Sequence, residues 1–559
     1  MNRKQRREAA RRQKGLQKAQ QNVPQSFPRW IVILAAGMLL ALFAGLSLWE
    51  MAGDTVTSDE RIHLPVGYAY WKKHEFRLNP EHPPLVKLLC SAPLLGMKLK
   101  MPPTEPQTGL SYNEYQQVFG SQFLFEQDAD RILFWGRLPA LLLGILLAFL
   151  IFRWSWELHG HAGAGLLSLL LVALEPSIVA HSHYVTMDVA FACFGVMAMF
   201  LLWRFSREGK PLNLVLASLG MALALASKFS AVFLLPVFFF LFIVRFPVNN
   251  FKQARFLITG NSVKSQILLS VLVAAGIAVV VQAFYLFSPD LMLYVRGVLE
   301  VNANHNPNYL YYAHGKFHLG GVWWYPLYAF LLKTPLPTIV VIVVALISNL
   351  QKRSRRFRDL NFILLPAGMI TLAVCAFADN LGVRYMIPVT AFLLVVAGRS
   401  FFIFMANRKS RIWAGLLAAW LFVSVLHVSP HYISYFNELI GGPSYAPYYL
   451  DDSNVDWGQD FKRLVQYLRK NGISEVTLSV WGPSPPEFYG DRYGIHFKPW
   501  KQAEARQARP PAGVYAISVN NLVGIKRLIV AGADPNLDWL ERFRPSDRVG
   551  YSIYIYRFP

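Results

Sequence analysis

TSDERIHLPVGYAYWKKHEFRLNPEHPP, residues 57–84, directly follows an apolar run from Trp30 to Trp49 that is long enough to cross a bilayer as a helix. The stretch therefore lies where the chain first meets water on the far side of a membrane. It holds Asp59-Glu60 and Glu81-His82-Pro83-Pro84, which are groups that accept protons or coordinate metals. A plain connecting loop needs none of them, and ionisable groups kept at a membrane face are costly without partners.

The rest of the chain has the composition of a polytopic membrane protein. Only 16% of its 559 residues are charged, against about 25% in soluble domains. Apolar windows fall at 30–50, 131–152, 162–181, 187–205, 212–227, 229–247, 266–288, 322–349, 360–378, 384–405 and 412–430, which predicts about 11 transmembrane helices. With the N-terminus in the cytoplasm, alternate connections carry Arg153, Arg204/Arg207/Lys210, Lys252/Arg255/Lys264, Lys352/Arg353/Arg355/Arg356/Arg358 and Arg408/Lys409/Arg411. The net charge of +22 is thus spent on positive-inside topology rather than on nucleic acid. The basic tail, residues 1–28, reads as a cytoplasmic topology anchor that touches anionic lipid. Its run is too long, and the following span lacks the cleavage pattern, for a removable signal. The three cysteines, Cys90, Cys193 and Cys375, show neither a disulfide framework nor metal-ligand spacing.

This topology divides the chain into the tail, a membrane domain at 29–432 with outer loops 52–130 and 289–321, and an outer domain at 433–559. In the last, a helical pattern at 456–471 is followed by strand-like runs at 475–482, 513–520 and 551–558, the signature of a small α/β domain.

Each polar candidate has a structural reading beside a functional one. Asp59 and Glu60 are solvated loop acids or, partly desolvated, carboxylates with pKa values raised toward that of a general base. Asp188 in HSHYVTMD caps a helix or joins the acids; Thr186 could share the capping. His181 and His183 can ligate a metal only from an extended segment. Pro83 and Pro84 start an interfacial helix, LVKLLCSAPLLGMKLKM, where Glu81 suits the helix dipole or, with His82, belongs with Asp59. Lys228, Lys333 and Arg384 stand near outer span ends against the positive-inside trend; they snorkel or bind phosphate. The loop 301–326, rich in Asn, His, Tyr and Trp, suits sugar stacking or an aromatic belt.

Together DE after the first span, RLNPEHPPL, LEPSIVAHSHYVTMD and SKFSA resemble the GT-C superfamily of membrane glycosyltransferases, on the branch of the protein O-mannosyltransferases and the lipid A aminoarabinose transferase. FLLKTPLP, GVRYMIP, YFNELIGGP and DDSNVDWGQDFKRL resemble a bacterial polyprenyl-phosphate-dependent subgroup. The resemblance, over about 55–470, implies a GT-C fold in a bacterial inner membrane, and transfer of a sugar from a polyprenyl-phosphate donor to a protein, lipid or polysaccharide acceptor. It implies Asp59, with Glu60 adjacent, as catalytic base and Asp188 as a second acid. Glu81, His82, His183, Lys228, Lys333 and Arg384 become substrate-binding candidates, and Glu81 with His82 the candidates for a divalent metal that some relatives hold. The alternatives are a transporter, which predicts charges deep in spans and inverted repeats, and a non-catalytic envelope-assembly or binding protein. DSNVDWGQD acquires no role, either from its residues or from the resemblance.

Overall fold

The computed structural model describes residues 27–106, 109–245, 263–304, 306–350, 355–507 and 509–559. The basic tail up to residue 26, Lys252, Arg255, Lys352 and Arg353 lie outside them.

Among the described residues, every apolar window expected to span is mainly helical. Arg29–Gly53, Ala129–His159, Met187–Glu208, Lys264–Phe284, Arg358–Phe377 and Arg408–Val428 are each long and apolar enough to cross a membrane. At 1.5 Å per residue a 25-residue helix such as Arg29–Gly53 is roughly 38 Å long, more than the hydrocarbon thickness. The outward surfaces carry Ile33, Leu142, Leu272, Trp413 and Val423, all more than half exposed. Such a surface is stable only against lipid.

Other windows are helical but broken. Residues 162–181 divide into Ala162–Ala173 and Pro176–His181, because Pro176 can begin a helix but not continue one. Tyr325–Lys333 and Leu336–Asn349 meet at 112° around Thr334-Pro335. Residues 383–404 form a 3₁₀ turn, Val383–Met386, followed by Ile387–Ala397 and Ser400–Phe404. The expected count of crossings thus becomes six unbroken helices, one bent pair and several shorter apolar helices among the described residues. The breaks bring Glu175, Lys333 and Arg384 to helix ends, where backbone and side chains can meet polar partners.

Among the described residues, the segments expected to form the outer loops are built largely of helices and one hairpin. Glu60–Lys73 packs against Leu85–Ser91 and Tyr112–Phe125. The helix after Pro84 is not the interfacial one expected: Leu85, Val86, Lys87, Leu88 and Cys90 are all buried. The Lys87 ammonium sits inside and donates to the carbonyls of Asn79 (2.7 Å) and His82 (2.9 Å), closing the NPEHPP turn. Residues 289–321 form a helix, Leu293–Asn304, and a hairpin of β1 (Leu310–Ala313) with β2 (Lys316–Leu319).

Beyond residue 460 lies an α/β unit. Its sheet has the order β4 (His496–Pro499), β3 (Glu475–Ser479), β5 (Gly513–Ser518), β7 (Ile553–Phe558), β6 (Asp547–Val549). β3 runs parallel to β4 and β5, and β7 antiparallel to β5 and β6. The helix Phe461–Lys470 buries Phe461, Leu464, Val465 and Leu468, an i, i+3, i+4, i+7 stripe, against Val476, Ala516 and Ile555.

Candidate active site

Asp59 precedes the first residue of Glu60–Lys73, and its Oδ2 pairs with Arg384 Nη1 at 2.5 Å. The partners are 325 residues apart and meet because the 3₁₀ turn Val383–Met386 ends beside the first outer loop. A second pair lies alongside: Asp188, in the first turn of Met187–Glu208, meets Lys228, at the end of Pro211–Ser227, at 2.5 Å. Tyr385 joins the two. Lys228 Nζ lies 4.5 Å and the Arg384 guanidinium 5.3 Å from its ring centre. The N-cap residue of this helix is Thr186, which makes no side-chain capping bond, and Asp188 in the first turn is engaged by Lys228.

Burial alone would raise the Asp59 carboxyl, but the Arg384 guanidinium outweighs it, and His63 and Lys228 add to the pull, so the group is held below the usual carboxylate range. The raised pKa expected from desolvation is therefore not found, because the cation counters it. His63, one turn after Asp59, has its ring 5.3 Å from that of His82, and its Nδ1 lies 3.0 Å from the Val185 carbonyl. Burial pushes the His63 imidazole down to about 4, and burial with the neighbouring cations pushes His82 well below its ordinary value. Both rings are neutral at physiological pH.

His82 also borders a cavity of about 270 Å³ whose wall includes Tyr70, Asn79, Tyr112, Tyr285, Arg77 and Arg296. Glu81 is half-buried and its charge favours the protonated form of Lys87. No group of three or more His, Cys, Asp or Glu side chains suited to a metal ion exists among the described residues.

Three sequence candidates sit in structural bonds. Glu60 is buried and pairs at both oxygens with Arg137, at 2.8 and 2.7 Å, while accepting from Thr57 and Val185. His183 Nε2 lies 3.0 Å from Asp54, whose carboxylate also binds Tyr184 and Arg463. Burial would raise Asp54, yet Arg463 and His183 hold it below the carboxylate range. Lys333 is 2% exposed and donates to the carbonyls of Ile433 and Asn454, at 2.5 Å each.

Sequence reasoning missed the residues that tie these pieces together. The Trp457 ring lies 4.7 Å from the Arg384 guanidinium and 5.7 Å from the His181 ring, and its carbonyl accepts from Ser58 N at 3.3 Å. Thr55 donates to the carbonyls of Gly458 (2.7 Å) and Gln459 (2.9 Å). Asn454 Oδ1 accepts from Val383 N at 3.0 Å, and Ser453 Oγ donates to Leu381 O. Residues 451–460 therefore bridge the segments that carry Asp59 and Arg384. Gly458 permits this at φ +87°, where an added Cβ would stand 2.9 Å from the Gly482 Cα. The only signal in sequence was the density of Asp, Asn, Trp and Gly in DDSNVDWGQD.

Residues 53–295 match the family model described as dolichyl-phosphate-mannose-protein mannosyltransferase. No curated protein matches the chain significantly. Among solved structures, ArnT from Cupriavidus metallidurans bound to undecaprenyl phosphate aligns at 11% identity over 94% of this chain and 97% of its own, with a TM-score of 0.45. The archaeal oligosaccharyltransferase AglB from Archaeoglobus fulgidus, in complex with an inhibitory peptide and a dolichol-phosphate, aligns at 12% identity over 87% and 61%, with a TM-score of 0.41. The S. cerevisiae protein O-mannosyltransferase Pmt1-Pmt2 complex bound to the sugar donor aligns at 18% identity over 50% and 35%, with a TM-score of 0.28.

Proposed function

For a multi-pass membrane chain that residues 53–295 relate to the protein O-mannosyltransferases, within the GT-C superfamily of glycosyltransferases, we propose transfer of a sugar from a polyprenyl phosphate to an acceptor hydroxyl at the outer face of a bacterial inner membrane. The observation that carries this reading is the pair of ion pairs, Asp59–Arg384 and Asp188–Lys228, flanking Tyr385 beside the first outer loop. Two cations 4.5 and 5.3 Å from one ring suit a phosphate, which takes the fork of Arg384 and the point charge of Lys228. The lipid tail lies along the apolar helices.

The resting ion pairs give binding a chemical consequence. The phosphodiester anion of the donor competes with Asp59 for Arg384, and the carboxylate it displaces loses the cation that kept its basicity low. Asp59 becomes a competent base when the donor is bound. It then takes the proton of the acceptor hydroxyl as that oxygen attacks the anomeric carbon. The bond from that carbon to the phosphate oxygen breaks, its electron pair leaves with the lipid phosphate, and the configuration inverts. Arg384 and Lys228 stabilise the charge that grows on the leaving group. Neutral His63 and His82 are available as hydrogen-bonding groups for sugar hydroxyls, and Tyr385 as a stacking face.

The test is transfer of radiolabelled sugar from undecaprenyl-phosphate-linked mannose, glucose and a pentose, by purified protein in lipid nanodiscs, to a threonine-rich peptide, a glycolipid and an oligosaccharide. Wild type is expected to label one acceptor. Asp59→Asn is expected to lose about 10²–10⁴-fold in rate. Failure of folded wild type to release sugar from any donor, to acceptor or to water, refutes the reading.

A further inference from the structure

The acids of the site already described are each spent on a cation. Asp452 is not: among the described residues it has no ion-pair partner, and it is half-buried beside the same centre. Its neighbours fix where it stands. Ser453 binds the Leu381 carbonyl and Asn454 binds Val383 N, so Asp452 begins the segment laid against the irregular stretch leading into Arg384. Its field and those of Arg384 and Asp59 reach one another.

The backbone at Asp452 is also unusual. Its φ is +53°, a left-handed conformation that a β-carbon disfavours and that persists only where the surroundings impose it. The C-terminal domain imposes it. Asp452 N donates to Asn520 Oδ1 at 2.8 Å, and Asn520 Nδ2 donates to the Asp456 carbonyl at 2.8 Å. Asn520 lies in the first turn of Val519–Val530, directly after β5, at the carboxyl edge of the parallel strands. That edge is where open α/β sheets place ligands. Here it holds a loop of its own chain, and in that loop the Asp452 carboxylate accepts from Ser453 N through Oδ1 at 2.6 Å, with no cation bonded to it among the described residues.

A carboxylate repels the lipid phosphate, so Asp452 is on the wrong side of the charge balance for the donor headgroup. It accepts hydrogen bonds from hydroxyls. We propose that Asp452 binds the acceptor: its carboxylate holds a hydroxyl of the sugar or side chain that receives the transferred group, and the C-terminal domain, through Asn520, positions it. This rests on the glycosyltransferase reading and adds the acceptor side to it. Burial pushes the Asp452 carboxyl up to about 6, against the opposing pull of Ser453 N and Arg384, so its hydrogen-bonding capacity changes close to neutral pH.

The experiment measures two reactions of one donor, undecaprenyl-phosphate-linked radiolabelled sugar: hydrolysis to water, and transfer to an alkyl glycoside or to a threonine peptide. These two probes separate a carbohydrate acceptor from a protein one. In Asp452→Asn, donor hydrolysis is expected to stay at the wild-type rate while the acceptor KM rises about 10–100-fold, the loss of one hydrogen bond to a charged group. The wild-type acceptor KM is expected to rise as pH falls below 6, and to be flat with pH in Asp452→Asn. Asn520→Ala, which touches no substrate, should raise the acceptor KM in the same direction by less. An unchanged acceptor KM in Asp452→Asn, or a loss of hydrolysis equal to the loss of transfer, overturns the proposal while leaving the transferase reading intact. Wild type that neither transfers nor hydrolyses overturns both.

Discussion

Asp59 and Glu60 are adjacent carboxylates, and the structure gives them opposite fates on neutralisation. Glu60 is fully buried and Arg137 is 2% exposed. Five donors converge on Glu60: Arg137 Nε and Nη2, Thr57 N and Oγ1, and Val185 N, all at 2.7–3.2 Å. Glu60→Gln keeps the shape but removes the charge and turns an NH₂ group toward donors. Arg137 then keeps the carbonyls of Thr55, Asp54 and Met51 and one neutral amide oxygen in place of a carboxylate. Removing one partner of a buried pair costs ~3–5 kcal/mol, a large share of a typical folding free energy of about 5–15 kcal/mol. Replacing both, Glu60→Met with Arg137→Met, should recover much of the loss, since no charge is then stranded. Asp59 is 26% exposed at its side chain, so Asp59→Asn should unfold close to wild type while losing transfer. The assay is thermal unfolding in detergent followed with a thiol-reactive dye, because Cys90 and Cys193 are buried and react only on opening. If Glu60→Gln melts as wild type yet no longer transfers sugar, Glu60 acts on substrate and the structural assignment is wrong.

Lys333→Met should lower thermal stability, by releasing the Ile433 and Asn454 carbonyls, and leave the donor KM unchanged; a KM raised about tenfold with normal melting would make Lys333 a phosphate ligand. The Asp456 carboxyl is pushed up to about 7 by burial, against N–H groups of Gly458 and Asn520. The folded chain therefore keeps a proton that the unfolded chain releases near pH 4, and stability falls as pH rises from there to 7, by at most ~1.4 kcal/mol per pH unit. Asp456→Asn should remove that slope, and a wild-type-to-variant gap in unfolding free energy equal at pH 5 and pH 7.5 would refute it.

Helix positions in the membrane were legible because twenty apolar residues have few alternatives to helix in lipid. So were β3, β5 and β7, whose alternating or apolar runs mark strands. HFKP at 496–499 and DRV at 547–549 carry no alternation, and they became β4 and β6 only by pairing with neighbours. The kinks at Pro176 and Pro335 are written in sequence as prolines, although hydropathy averages across them. Asp59, Asp188, Lys228 and Arg384 were identified as polar residues out of place, but their pairing was not, since no local pattern states which acid meets which cation. Arg384 illustrates the difficulty: read alone it is a phosphate ligand, and only its approach to Asp59 reveals that it also suppresses a base. Glu60 was ambiguous for the opposite reason. Its partner Arg137 sits inside an apolar helix, where it passed as one more residue of a span.

The hydrogen bonds from Thr55 to Gly458 and Gln459, and from Arg463 to Asp54, join residues more than 400 positions apart. That separation sets an order of events during synthesis. Glu60 acquires Arg137 after 77 residues and Asp54 acquires His183 after 129. Arg463 reaches Asp54 only 409 residues later, so at about 5–20 residues per second the first outer loop waits roughly 20–80 s for its last partner. A nascent chain inserted through all its apolar helices still lacks residues 451–460, the segment that bridges the stretches carrying Asp59 and Arg384, so the last tie across this centre forms only after the final apolar helix has been made.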